Sequence, residues 1–309
     1  MLLLTGATGT TGAALLRRLT AAGVPTRVLV RDPKRLGPER VRVQIALGDL
    51  SDPPSFRNAL RGVRTVVHLA AASRDQEQGS IEELGGIATW RMVEAAEKAG
   101  VEHFVFFSAL GASAHNRTRF LRSKAHAEEA VRSSGLRHTI FAPSMVYAPG
   151  DEAMTLIARL ALLPVVPMSG RGRAHFQPIW GDDAADCVMS VLGYPPVGAT
   201  GELPVANGSP YVPTENARYE LAGPDTITGR EMFELAVRAT GRPRPVVPVP
   251  TAVTYRVLRA AEMLVSHRAL ATWDEAELLE VSMTSRSGTA DAERLGVRPR
   301  RMAAVLGAA

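Results

Sequence analysis

Apolar residues in the first half of the chain come in short runs: Leu2-Leu3-Leu4, Arg27-Val28-Leu29-Val30, Val41-Arg42-Val43-Gln44-Ile45, Thr65-Val66-Val67-His68-Leu69, His103-Phe104-Val105-Phe106-Phe107 and His138-Thr139-Ile140-Phe141. These read as six strands. Between them the spacing turns helical. Residues 13–22 place Leu15, Leu16 and Leu19 on one face, residues 55–60 follow Pro53-Pro54, and two longer segments cover 81–99 and 118–134. Each segment stops near a glycine, Gly23, Gly62, Gly100 or Gly135, where a left-handed C-terminal cap is expected. Strands alternating with helices predict an α/β fold, a Rossmann-like doubly wound parallel sheet.

The texture changes after Pro143. Pro164, Pro167, Pro178, Pro195, Pro196, Pro204, Pro210 and Pro213 cut the chain into short pieces. Residues 1–142 therefore read as the sheet domain, and 143–309 as a smaller, irregular C-terminal lobe on the substrate side. Residues 182–192 predict a helix packed back on the sheet, with Asp182 as N-cap and Asp183 in the first turn. A Gly/Pro-rich loop is expected over 193–216, and helices over 229–240 and 252–265. No internal repeat is visible.

Composition narrows the setting. A single cysteine, Cys187, excludes an internal disulfide, and the seven histidines are scattered singly, so no metal site is expected. No run of eighteen apolar residues and no secretory leader is present, so a cytoplasmic protein without a transmembrane segment is expected. The net charge of +5 is uneven. Residues 1–150 carry 20 Lys and Arg against 13 Asp and Glu, whereas 151–309 carry 16 against 18. With only 5% aromatic residues and no basic run interleaved with them, nucleic-acid binding is not expected. A monomer or homodimer acting on a small molecule fits better.

Thr5-Gly6-Ala7-Thr8-Gly9-Thr10-Thr11-Gly12 follows the first strand and opens the first helix. A turn this tight needs glycine, and the helix start presents free N–H groups and a positive dipole end to a pyrophosphate. Gly6, Thr8, Gly9, Thr10, Thr11 and Gly12 are therefore candidate dinucleotide-binding residues. Nineteen residues beyond Gly12 the second strand ends in Arg31, with Asp32 next and Lys34 close by. A guanidinium there favours the 2′-phosphate of NADP(H), while an inward Asp32 would serve NAD(H) instead.

At this point the chain resembles the short-chain dehydrogenase/reductase superfamily, and specifically its extended or atypical members. Beyond the glycine loop, the resemblance rests on Gly48-Asp49-Leu50, His68-Leu69-Ala70-Ala71, Phe107-Ser108-Ala109, Lys124 with Glu128, and Ala142-Pro143-Ser144-Met145-Val146-Tyr147. Gln177-Pro178-Ile179-Trp180-Gly181-Asp182-Asp183 and Tyr219-Glu220-Leu221-Ala222-Gly223-Pro224 resemble NmrA-like proteins and the NAD(P)H-binding accessory subunit of respiratory complex I. The resemblance implies that Asp49 and Leu50 meet the adenine, that Ala70, Ala71 and Pro143 line the cofactor, and that Lys124 holds the nicotinamide ribose.

The departures carry equal information. Catalytic relatives place a Tyr four residues before the Lys, and here that slot holds Phe120. Phenylalanine has no proton to give. The family's Ser falls on Ser108 or on Ala109, and Ala142 and Ala148 replace residues that are often Arg and Gly in relatives. Ser113, His115, Ser123, Tyr147 and His175 are alternative proton donors near the expected ligand edge, with His115 best suited by its ordinary pKa. The sequence thus points to an NADP(H)-dependent reductase of a small carbonyl, quinone or conjugated substrate, with Lys124, Ser108, His115 and Tyr147 as candidate catalytic residues. Its rival is a redox sensor or accessory and assembly factor that binds the cofactor without chemistry.

Overall fold

The computed structural model describes residues 1–195, 216–256, 258 and 272–307. The first half contributes β1 (Leu2–Thr5), β2 (Thr26–Val30), β3 (Gln44–Leu47), β4 (Thr65–His68), β5 (His103–Phe107) and β6 (Arg137–Pro143). Later strands are β7 (Val146–Tyr147), β8 (Val166–Ser169), β9 (His175–Phe176), β10 (Ile179–Trp180), β11 (Ala217–Leu221), β12 (Ile227–Thr228) and β13 (Val246–Val249). The main helices are α1 (Thr10–Ala21), α2 (Pro53–Phe56), α3 (Ala88–Lys98), α4 (Arg119–Arg132), α5 (Glu152–Leu160), α6 (Gly181–Val191) and α7 (Gly229–Ala239). Seven strands form one parallel sheet in the order β11-β6-β5-β4-β1-β2-β3. The order reverses between β1 and β4, the point at which open α/β sheets bind ligands.

Alternation along the strands builds two cores. Leu4, Val28, Val67, Val105 and Phe141 pack with Leu15 and Leu19 of α1 and Val188 and Met189 of α6. Leu3, Leu29, Val66, Phe104 and Ile140 pack on the other face with Met92 and Val93 of α3 and Ala127 and Val131 of α4. Burial of each such side chain is worth about 1.5–3 kcal/mol, so the sheet is held from both sides. Arg18 of α1 donates Nε–H to Asp186 of α6 at 2.5 Å, tying helix 181–191 to the sheet's first helix. Among the described residues no helix is long and apolar enough to cross a membrane.

Several local expectations need correction. The third strand lies at Gln44–Leu47, not at 41–45, because Pro33–Val41 winds through 3-10 turns kinked at Gly37. The 81–99 segment is helical but starts with a π turn at Glu83–Ile87, where Gly86 N–H donates to Ser123 Oγ at 2.8 Å. Gly23, Gly62 and Gly100 have the left-handed φ expected of caps, whereas Gly135 does not; its N–H instead donates to Glu97 at 2.7 Å. Trp180, not Asp182, is the N-cap of α6, and both Asp182 and Asp183 sit in its first turn. A helix begins at 251 and is described as far as 256, so the rest of the 252–265 expectation lies outside the described residues except for 258. Most of the 193–216 loop expectation, 196–215, also lies outside them.

Candidate functional site

The turn between β1 and α1 is built by two kinds of glycine. Gly6 has φ +72, and a Cβ there would stand 2.5 Å from the Ala70 backbone nitrogen beyond β4. A Cβ on Gly12 would run into the Gly6 carbonyl oxygen. Both are required by the fold itself. Gly9 is different: a Cβ there would meet only the Gly6 oxygen, at an ordinary 3.5 Å, and the residue is exposed. Gly9 is also the extended N-cap of α1, and no side chain caps the helix. The first-turn N–H groups are thus left to an outside acceptor, and the space above Gly9 admits one.

The other cofactor candidates surround this loop at the C-terminal ends of the strands. Arg31 follows β2, and Gly48-Asp49-Leu50 follows β3. Ala70 and Ala71 follow β4, and Pro143 ends β6. Asp49 Oδ1 accepts from Ser51 N and Oγ at 2.9 and 2.8 Å, and its Oδ2 lies 4.0 Å from Arg31 Nη1. Lys34 is exposed, and its backbone N–H donates to Asp32 at 3.0 Å, which turns Asp32 to capping the next turn.

Lys124 is brought beside the end of β5. Its side chain is 5% exposed, and its ammonium donates to the Phe107 carbonyl. Nζ lies 5.0 Å from the Phe106 ring centroid and 5.7 Å from that of Phe120. Burial lowers its pKa from 10.5 to about 7, with Glu128 opposing the shift. Glu128 itself is engaged by Arg132 at 2.7 Å and Arg218 at 3.3 Å. Ser108, next to Phe107, has a buried Oγ without a hydrogen-bond partner. The structure therefore collects Lys124, Ser108 and Phe120 in one place. His68, at the end of β4, is wholly buried between Thr5 Oγ1 and Thr89 Oγ1, at 2.8 and 3.1 Å. Burial first, and then Lys124, push its pKa down to about 3, so it stays neutral.

The alternative donors are scattered. His115, Ser113 and His175 are exposed, and Ser123 is occupied by Gly86 N–H and the Ile81 carbonyl. Tyr147 is 2% exposed, with an unpartnered hydroxyl. Burial and then Asp183 push its pKa up, away from proton donation near neutral pH. Asp183, in turn, holds Arg300 Nη2 at 2.8 Å, and that guanidinium stacks 3.7 Å from the Trp180 ring. The 73–80 loop, from which sequence reasoning drew nothing, supplies Gln76 and Gln78 to Arg31. No motif or periodicity marks two loop glutamines; only the fold reveals their reach.

Fold and loop together define a Rossmann-type dinucleotide-binding protein. A family profile described as NAD(P)H-binding matches residues 6–159. The chain is 30% identical over 251 residues to the (4-alkanoyl-5-oxo-2,5-dihydrofuran-3-yl)methyl phosphate reductase of Streptomyces griseus, covering 79% of this chain and 75% of the reductase. It is 28% identical over 255 residues to the NAD(P)H azoreductase of Xenophilus azovorans, covering 79% and 75%. Identity is also 28% over 245 residues to the NADH dehydrogenase [ubiquinone] 1 alpha subcomplex subunit 9 of Arabidopsis thaliana, covering 74% of this chain and 55% of that subunit. For some curated relatives the chain spans less than two thirds of their length, as with 62% of a ceramide reductase of Caulobacter vibrioides. A double mutant of the dTDP-glucose 4,6-dehydratase DesIV of Streptomyces venezuelae has the same fold, with a TM-score of 0.70, 21% identity and coverage of 100% and 94%. The chain belongs to the NAD(P)H-binding family of atypical short-chain dehydrogenases/reductases.

Proposed function

We propose that the chain is an NADP(H)-dependent reductase of a small, apolar, conjugated substrate, a quinone or an enone, that works without the family's tyrosine. The observation that carries this reading is Phe120 in the tyrosine slot beside a buried, retained Lys124. Phe120, Met145, Met154, Trp180, Leu278 and Val281 are partly buried on one core cluster, an apolar neighbourhood that favours an apolar substrate. The first turn of α1 would hold the pyrophosphate, Arg31 the 2′-phosphate and Lys124 the nicotinamide ribose. Bound there, the reduced nicotinamide supplies a hydride. Lys124 would donate to the ribose hydroxyls and fix the ring, beside a Ser108 hydroxyl that is buried and unpartnered. Quinones and enones tolerate the missing phenol because their reduced oxygens hold a proton less tightly than a simple alkoxide does, so the anion left by hydride transfer can take its proton from solvent. Two relatives, one named as the reductase of a dihydrofuranone methyl phosphate and one as an azoreductase, support a conjugated substrate, though the first of these carries a charged phosphate.

The second reading, a cofactor-binding accessory protein, is favoured by the same Phe120 and by the likeness to a complex I subunit. Loss of NADPH absorbance with a naphthoquinone, a cyclic enone and a simple ketone separates the two. Oxidation by the first two and not the ketone is expected; tight NADPH binding with no turnover of any would establish the accessory reading instead.

A further inference from the structure

Beyond β4 the chain turns back on itself, with Gln76 N–H donating to the Gly79 carbonyl at 2.9 Å and Gly79 N–H to the Gln76 carbonyl at 3.1 Å. Asp75 anchors the base of this hairpin, accepting from Ile81 N–H at 2.9 Å and from both terminal nitrogens of Arg119 at 3.0 Å. The hairpin's two glutamines reach across to Arg31. Arg31 Nη1 donates to Gln78 Oε1 at 3.0 Å and Nη2 to Gln76 Oε1 at 3.3 Å.

Donor and acceptor accounting then decides what this corner can hold. A guanidinium only donates, so both amide oxygens must face Arg31, and both amide NH2 groups are left for other acceptors. Asp32 Oδ1 is engaged by Lys34 N–H, and Asp49 Oδ1 by Ser51. The second oxygens of these carboxylates stay open, Asp49 Oδ2 at 4.0 Å from Arg31 Nη1, but donors outnumber them: the unused N–H groups of Arg31, two amide NH2 groups and the exposed Lys34 ammonium. A ribose 2′-hydroxyl gains from an acceptor, whereas a 2′-phosphate needs several donors at once. The glutamines also fix a guanidinium that would otherwise lose rotamer freedom on binding.

We propose that Gln76 and Gln78 determine cofactor specificity, completing with Arg31 a 2′-phosphate subsite whose outer wall is the hairpin after β4. The inference rests on the NADP(H) reading above, and three variants keep the two separable. Dissociation constants for NADPH and NADH are measured by calorimetry in the native chain, Gln76→Ala/Gln78→Ala, Gln76→Glu/Gln78→Glu and Arg31→Ala. Arg31 and Gln78 are exposed and Gln76 is half-buried, so the fold is expected to survive these substitutions, which circular dichroism checks. The double alanine variant is expected to weaken NADPH about five- to twentyfold, the combined worth of two amide–phosphate hydrogen bonds, with NADH unchanged. The double glutamate variant keeps acceptors for Arg31 but faces the phosphate with carboxylates, and is expected to weaken NADPH further. An unchanged NADPH-to-NADH ratio, or tighter NADPH binding because the glutamines compete with phosphate, overturns the inference. If Arg31→Ala also leaves the ratio unchanged, the NADP(H) reading itself falls; if Arg31→Ala alone collapses it, only the role of the glutamines does.

Discussion

Lys124 is held in the folded chain at a cost that changes with pH. Its pKa is about 7 in place of 10.5 because burial disfavours the ammonium. Between these values the unfolded chain binds a proton that the folded chain has released, so folding stability rises with pH across this window. Above 10.5 the penalty vanishes, and below 7 it levels off at about 5 kcal/mol. Lys124→Met removes the charge but also the hydrogen bond to the Phe107 carbonyl, worth about 1 kcal/mol. The variant without cofactor is therefore expected to be more stable than the native chain by about 3–4 kcal/mol at pH 7, and less stable by about 1 kcal/mol beyond pH 10.5. Urea unfolding of both proteins at stepped pH reads the difference, which should shrink by about 1.4 kcal/mol per unit through the window. A difference independent of pH, or a variant weaker at pH 7, would refute the argument from burial. Cofactor binding should act in the opposite sense, because ribose hydroxyls accept from the ammonium. Calorimetry of NADPH binding at pH 7.5 in buffers of different ionisation enthalpy should therefore register proton uptake.

Two further perturbations probe the loop and the missing phenol. Gly9→Val should leave thermal stability nearly unchanged while abolishing dinucleotide binding, whereas Gly12→Ala, which meets the Gly6 carbonyl, should destabilise the fold; a Gly9→Val protein that still binds NADPH would remove the pyrophosphate site from this loop. Phe120→Tyr places a phenol beside Lys124 and should raise ketone reduction by about 10²–10⁴-fold over the native background, with quinone turnover little altered. A variant that binds NADPH yet gains nothing on ketones would show that the phenol slot is out of reach of the substrate.

The sheet and the glycine loop were legible because strands buried on both faces must be apolar and the loop's chemistry is local. Edge strands were harder. In β3 the residues Gln44, Ile45 and Leu47 are exposed, so no core dictates its position, and the apolar run put its start three residues early. β11, Ala-Arg-Tyr-Glu-Leu, carries two charges and pairs with a strand 78 residues earlier, from Ala217 to Thr139, which no local pattern reports. α6 starts at Gly181, which packs against Thr10, so its N-cap is Trp180 and Asp182 lies one residue inside the helix. At the site, Lys124 and Phe120 were singled out by the family resemblance, but the partnerless Ser108 hydroxyl and the hairpin glutamines depend on which loops meet. His115, singled out as an imidazole in a polar loop, lies exposed.

β11 also bears on how this chain can be cut and recombined. The chain leaves the sheet at Pro143 and returns at Ala217, where Arg218 reaches Glu128 and Glu220 N–H donates to Asp291 at 2.8 Å. A fragment ending at Pro143 would leave β6, which carries Ile140 and Phe141, as an open edge, a template for strand addition by other copies. The segment after residue 143 therefore cannot be exchanged as a cassette. A viable chimera must carry its own seventh strand or keep this one, so changes to this half of the chain are more readily made by substitution than by replacing it.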